Sequence, residues 1–80
     1  MIIYKITNLI NNKVYIGLTT LTLAKRWNAH KAVSKYKNSH LYQSIRKYGV
    51  QNFIIEEIDS TDNFKKLGEL ERYYIKLYDS

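Results

Sequence analysis

The 80-residue sequence predicts an α+β fold: a small three-stranded antiparallel sheet flanked by helices, in the order β-β-α-α-β-α, as a single domain over residues 1–80. Three observations predict it. Two short runs rich in β-branched and aromatic residues, Ile2-Ile3-Tyr4-Lys5-Ile6-Thr7 and Lys13-Val14-Tyr15-Ile16-Gly17, flank an Asn-rich connector and read as a β-hairpin. A third run of the same character, Phe53-Ile54-Ile55-Glu56-Glu57-Ile58, follows only after a long stretch of helical periodicity, and the final segment is helical again. No internal repeat, low-complexity tract, linker or proline interrupts this order.

The elements follow from local chemistry. Asn8 to Asn12 supply the hairpin turn, and Tyr4 and Tyr15 lie symmetrically about it, so antiparallel pairing brings two phenols onto one small area. Thr22 is a natural N-cap for a helix running to about Tyr36. Asn38-Ser39 breaks that pattern, and His40 to Tyr48 forms a second, shorter helix closed by Gly49. After a turn at Gln51-Asn52, the apolar run of the third strand predicts a central, well-covered position. Asp59 to Asp62 offer turn and cap residues, and the last helix runs from about Asn63 to Tyr78.

The composition excludes several classes. With no cysteine there is neither a disulfide frame nor a thiolate metal site. No apolar run approaches the roughly 18 residues of a membrane span, and no secretory leader precedes the first strand, so no membrane partner and an intracellular setting are expected. The net charge of +6 is unevenly laid out. Residues 25–47 hold Lys25, Arg26, Lys31, Lys35, Lys37, Arg46 and Lys47 with no acid, whereas residues 50–80 hold all seven acids. Such a cationic belt is the footprint of a polyanion, most commonly nucleic acid; a solvated face in a Lys- and Asn-rich chain is the bland alternative.

Three polar residues stand on apolar stripes. In the first helix Leu23, Trp27 and Val33 form one stripe, with Arg26 and His30, neighbours at i and i+4, at its edge and directed towards the strands bearing Tyr4 and Tyr15. An arginine lying along the core margin and a histidine satisfied by a backbone carbonyl would give the same spacing. In the last helix the stripe reads Phe64, Leu67, Leu70, Tyr74 and Leu77, and Glu71 shares it while Glu69 points away. A carboxylate in that position must be paired, with Arg26 or a tyrosine hydroxyl, or must hold a cation.

In this order, Ile2-Ile3-Tyr4, Tyr15-Ile16-Gly17, Arg26-x-x-x-His30 and Glu71 make the chain resemble the GIY-YIG nucleases over nearly its whole length, although Ile2 stands where the family usually has glycine. The resemblance implies a metal-dependent endonuclease that hydrolyses DNA phosphodiester bonds. It further implies the catalytic module of a homing-type endonuclease of a phage or mobile intron, with sequence specificity in a separate DNA-binding domain. Under it Tyr4, Tyr15, Arg26, His30 and Glu71 are the catalytic set. Arg26 contacts the scissile phosphate, and His30 binds an adjacent phosphate oxygen or moves a proton. Tyr4 or Tyr15 takes the proton of the attacking water, which for a phenol of pKa about 10 requires a cationic neighbour or a metal-bound water. Glu71 holds one Mg²⁺ or Mn²⁺ ion per site, since a two-metal site needs several acids and only Glu56 or Glu57 rivals it. Lys31, Lys35, Lys37, Arg46 and Lys47 are expected to make non-specific phosphate contacts. His40 either touches the DNA backbone or is merely exposed beside an N-cap at Ser39. The competing readings are a non-catalytic nucleic-acid-binding domain, with Glu71 as a structural partner, and a protein-interaction module on the same scaffold. The oligomeric state is not readable.

Overall fold

The computed structural model describes residues 1–78. It contains β1 (Ile2–Asn8), β2 (Val14–Thr19), α1 (Leu23–Val33), α2 (His40–Tyr48), β3 (Phe53–Ser60) and α3 (Phe64–Leu77), with a 3₁₀ turn at Val50–Asn52 leading into β3. The strands form one antiparallel sheet in the spatial order β2-β1-β3. This is the predicted α+β architecture.

The asparagines shape the hairpin. The fully buried Asn8 accepts the Ile10 N–H on its Oδ1, Asn11 does the same for the Lys13 N–H, and Asn12 takes the left-handed conformation at φ 62°. Asparagine tolerates that region better than most residues, so the turn is written in the residues that form it. The helix starts are equally local. Thr22 Oγ1 accepts the Lys25 N–H, Ser39 Oγ accepts the Tyr42 N–H, and Asn63 Oδ1 accepts from Lys65 and Lys66.

The register separates two cores. Tyr4 lies opposite Gly17 and Ile6 opposite Tyr15, so all four face the same side. That side, with Ile2, Phe53 and Ile55, is covered by Leu23 and Trp27 of α1 and by Leu41, Tyr42, Ile45 and Tyr48 from α2. The other side carries Ile3 and Lys5. There α3 lies against β1 and β2, burying Leu67, setting Tyr78 under the Lys5 ammonium and bonding the Tyr74 hydroxyl to Asp59 of β3.

Three expectations are corrected. The third strand is an edge strand and β1 is central, because the hairpin partner and β3 flank β1 on its two sides; Ile54 is left 42% exposed. The first helix ends at Val33, where the Ser34 hydroxyl turns back to the Lys31 carbonyl, well before the exposed Tyr36. The inward line of α3 runs through Leu67, Leu70, Glu71, Tyr74 and Ile75, while Phe64 and Leu77 are 74% and 58% exposed. At 3.6 residues per turn the stripe drifts, and Glu71 sits nearer its centre than its ends.

Candidate active site

Tyr4 is the fixed point of the site. It stands on the central strand and is 4% exposed, and its ring leans across the pleat over Gly17 on β2. Helix α1, started by its Thr22 cap, carries Arg26 and then, one turn on, His30 to the same place. The Arg26 Nε–H donates to the Tyr4 hydroxyl oxygen at 3.2 Å, and His30 Nε2 lies 2.9 Å from that same oxygen. On its other side His30 Nδ1 lies 2.9 Å from the Tyr42 hydroxyl on α2. The chain Arg26–Tyr4–His30–Tyr42 is therefore continuous.

His30 is not at the edge of the core but inside it, 5% exposed, with the Tyr4, Trp27 and Tyr42 rings around it at centroid distances of 5.8, 6.5 and 5.6 Å. Two phenols, and no backbone carbonyl, satisfy its nitrogens. Burial first, and the Arg26 charge second, push its pKa down from 6.5 to about 4, so the ring is neutral near neutral pH. Burial also holds the Tyr42 phenol above its ordinary 10, against the opposing pull of Arg26.

A stability prediction follows from His30. The unfolded chain binds a proton at this residue near pH 6.5 and the folded one only near 4, so the unfolded state binds more protons between these values. Stability from this group is present above about 6.5 and is lost as pH falls towards about 4. Urea unfolding between pH 7 and 4 is expected to show a falling midpoint, with a shallower slope in His30→Gln; equal slopes would contradict a buried neutral imidazole.

The remaining sequence-predicted residues are distributed as follows. Tyr15 shares the Tyr4 face but hydrogen-bonds Ser44 of α2 at 2.9 Å, not the Arg26–His30 pair. Glu71 is half-buried on α3, the helix packed against β1 and β2 on the opposite side of the sheet. Among the described residues it has no hydrogen bond or ion pair, with Arg26 or with a tyrosine. Glu57 lies opposite Tyr4 in the register but is exposed, and Glu56 pairs with Lys5 at 3.8 Å. No three His, Asp or Glu side chains converge among the described residues.

In the belt, Lys35, Lys37, Lys47 and His40 are exposed and Lys31 is half-exposed, with Ser39 acting as the N-cap beside His40. Arg46 has a second employment: its Nη1 donates to the Ser34 and Lys37 carbonyls at 2.7 and 2.6 Å, and its Nη2 to Asn38 Oδ1 at 2.8 Å. It ties down the α1–α2 connection, leaving fewer donors for phosphate.

Tyr42 and Ser44 were not singled out in the sequence. A signal existed for Tyr42, which stands three residues before Ile45 on the inward stripe of α2, where a phenol needs a partner.

Fold and site together define a small α+β domain in which a tyrosine-bearing hairpin meets an Arg-His helix. The family model described as the GIY-YIG catalytic domain matches residues 1–80, and the chain belongs to the GIY-YIG family. Among solved structures it is similar to the catalytic domain of homing endonuclease I-TevI, with a TM-score of 0.83 and 28% identity, covering 98% of this chain and 87% of that one. A mutant of that domain gives a TM-score of 0.85 at 28% identity, covering 98% and 82%. Two proteins of Invertebrate iridescent virus 6 are also similar. Protein 019R is 35% identical over 98% of this chain and 29% of its own length, and protein 146R is 37% identical over 95% and 32%. The chain thus spans about a third of those relatives.

Proposed function

We propose that this chain is a divalent-metal-dependent endonuclease domain that hydrolyses DNA phosphodiester bonds. It acts inside the cell as the catalytic module of a homing-type endonuclease from a phage or other mobile element, with sequence recognition in a separate DNA-binding domain. The observation that carries this reading is the buried Tyr4 oxygen held by the Arg26 Nε–H and facing His30 Nε2. Membership of the GIY-YIG family and likeness to the catalytic domain of a homing endonuclease support it. Among the described residues no helix is long and apolar enough to cross a membrane.

The residues divide the work. Arg26 commits Nε to Tyr4, and its terminal amino groups have no hydrogen bond among the described residues, leaving a planar fork for the scissile phosphate. That fork stabilises the charge that grows on the phosphoryl oxygens as the water oxygen bonds to phosphorus and the P–O3′ bond breaks. Tyr4 receives the proton the water gives up. The surrounding lysines hold the DNA backbone without reading its sequence. Glu71 is the candidate metal ligand: α3 carries it on the opposite side of the sheet from Tyr4 and Arg26, but a half-buried carboxylate without a partner suits a hydrated hard cation that takes only one or two carboxylates. A bound Mg²⁺ or Mn²⁺ supplies Lewis-acid polarisation of the phosphate and stabilisation of the leaving oxygen.

Nicking of supercoiled plasmid at low salt, with Mg²⁺, Mn²⁺ or EDTA, tests the reading. Nicking confined to the metal-containing reactions is expected. A plasmid that is bound yet stays intact in every metal would instead make the chain a nucleic-acid-binding domain. Glu71→Gln is expected to raise the Mg²⁺ concentration for half-maximal nicking by about tenfold or more, since even outer partners of metal ligands are commonly worth 10–100-fold. An unchanged metal titration would remove Glu71 from the metal site.

A further inference from the structure

We propose that Tyr42 is a positioning residue: its hydroxyl donates to His30 Nδ1 and so fixes the tautomer in which Nε2–H donates to the Tyr4 oxygen. The proposal rests on the endonuclease reading for its catalytic consequence, but its structural content stands on the geometry alone.

A neutral imidazole has one N–H and one lone pair, and the two nitrogens here each face a phenol at 2.9 Å. Two arrangements satisfy both contacts. In one, Tyr4 donates to Nε2 and Nδ1–H donates to Tyr42. The Tyr4 proton then points at histidine, and if Tyr4 accepts a proton from water it must pass its own to His30. That makes an imidazolium, which burial and the nearby Arg26 charge both oppose. In the other, Tyr42 donates to Nδ1 and Nε2–H donates to Tyr4. The Tyr4 oxygen then accepts two N–H groups, one from Arg26 and one from His30, and both stabilise negative charge on it. A Tyr4 phenolate held by these two donors would take the proton from water onto its oxygen, and His30 would stay neutral throughout. Only this arrangement uses the site without charging the buried imidazole, and it places two N–H donors on the Tyr4 oxygen, where negative charge falls.

The protein supports Tyr42 in that role. Its ring packs on the Tyr4 core, and its helix is fixed at one end by the Ser39 cap and at the other by Gly49. Two residues further along α2, Ser44 holds the Tyr15 hydroxyl at 2.9 Å, so one helix orients both hairpin phenols, Tyr4 through His30 and Tyr15 directly.

The ¹⁵N shifts of the His30 ring test this in the free protein at pH 7, without substrate or metal. The wild type is expected to show protonated Nε2 and unprotonated Nδ1, and Tyr42→Phe a mixture of tautomers. In plasmid nicking Tyr42→Phe is expected to lower kcat by about 3- to 10-fold, the range of one neutral hydrogen bond, with DNA binding and KM unchanged. A wild-type ring protonated on Nδ1 overturns the proposal, as does a tautomer indifferent to Tyr42→Phe. A chain that nicks no DNA but shows the expected tautomer switch keeps the positioning role and loses only the endonuclease reading. Should Tyr42→Phe fail to fold, the wild-type spectrum still decides.

Discussion

Arg26→Ala is expected to lower the rate of DNA nicking by about 10²- to 10³-fold, the usual consequence of removing a preorganised donor aimed at developing charge. Two contacts disappear with one side chain: the Nε–H bond to Tyr4 and the terminal fork available to the phosphate. Arg26→Lys keeps the charge but has neither the fork nor a donor at the Nε position, so it is expected to recover little of the loss. Binding should change much less than rate, because Lys25, Lys31, Lys35 and Lys37 remain in the same belt. The variant should also let His30 titrate nearer its ordinary 6.5, since the Arg26 charge is the second cause of its depression. Single-turnover nicking, gel-shift salt dependence and an NMR titration of His30 measure the three effects. A rate within tenfold of wild type, in a folded variant that binds DNA, would leave Arg26 a structural prop for Tyr4.

The parts of this molecule that were legible in the sequence are those written locally. The hairpin is specified by Asn8, Asn11 and Asn12 bonding their own backbone, and each helix start by a Thr, Ser or Asn cap. The position of β3 was not local information. Its apolar run suits a strand covered on both sides, yet which strand becomes central depends on how the chain returns from α2. The candidate site divides the same way. Arg26 and His30 announce themselves as i and i+4 neighbours, but the bond from His30 to Tyr42 crosses the break at Asn38-Ser39, where no periodicity carries over. Glu71 was recognisable as a carboxylate on an apolar stripe; that the stripe excludes Phe64 and Leu77 follows only from how α3 lies on β1 and β2.

Gly17→Ala is expected to reduce nicking by about 10²-fold or more and to cost about 1–3 kcal/mol of stability, the range for overpacking a filled core. The backbone of Gly17 lies outside the left-handed region, so the requirement is for space. A Cβ there would fall on the Tyr4 ring, 2.9 Å from Cε1 and closer still to Cζ and the hydroxyl oxygen. An exposed ring would swing away cheaply. Tyr4 is buried, bonded to Arg26 and adjoining His30, so moving its hydroxyl stretches both contacts at once. The register makes the clash unavoidable, because Tyr4 and Gly17 are direct cross-strand neighbours on one face. The glycine is thus the floor on which the tyrosine lies. A double-mutant cycle isolates the cause: in a Tyr4→Leu background, where the long ring is gone, Gly17→Ala should cost well under 1 kcal/mol. Equal costs in the two backgrounds would show that Gly17 serves the strand and not the tyrosine.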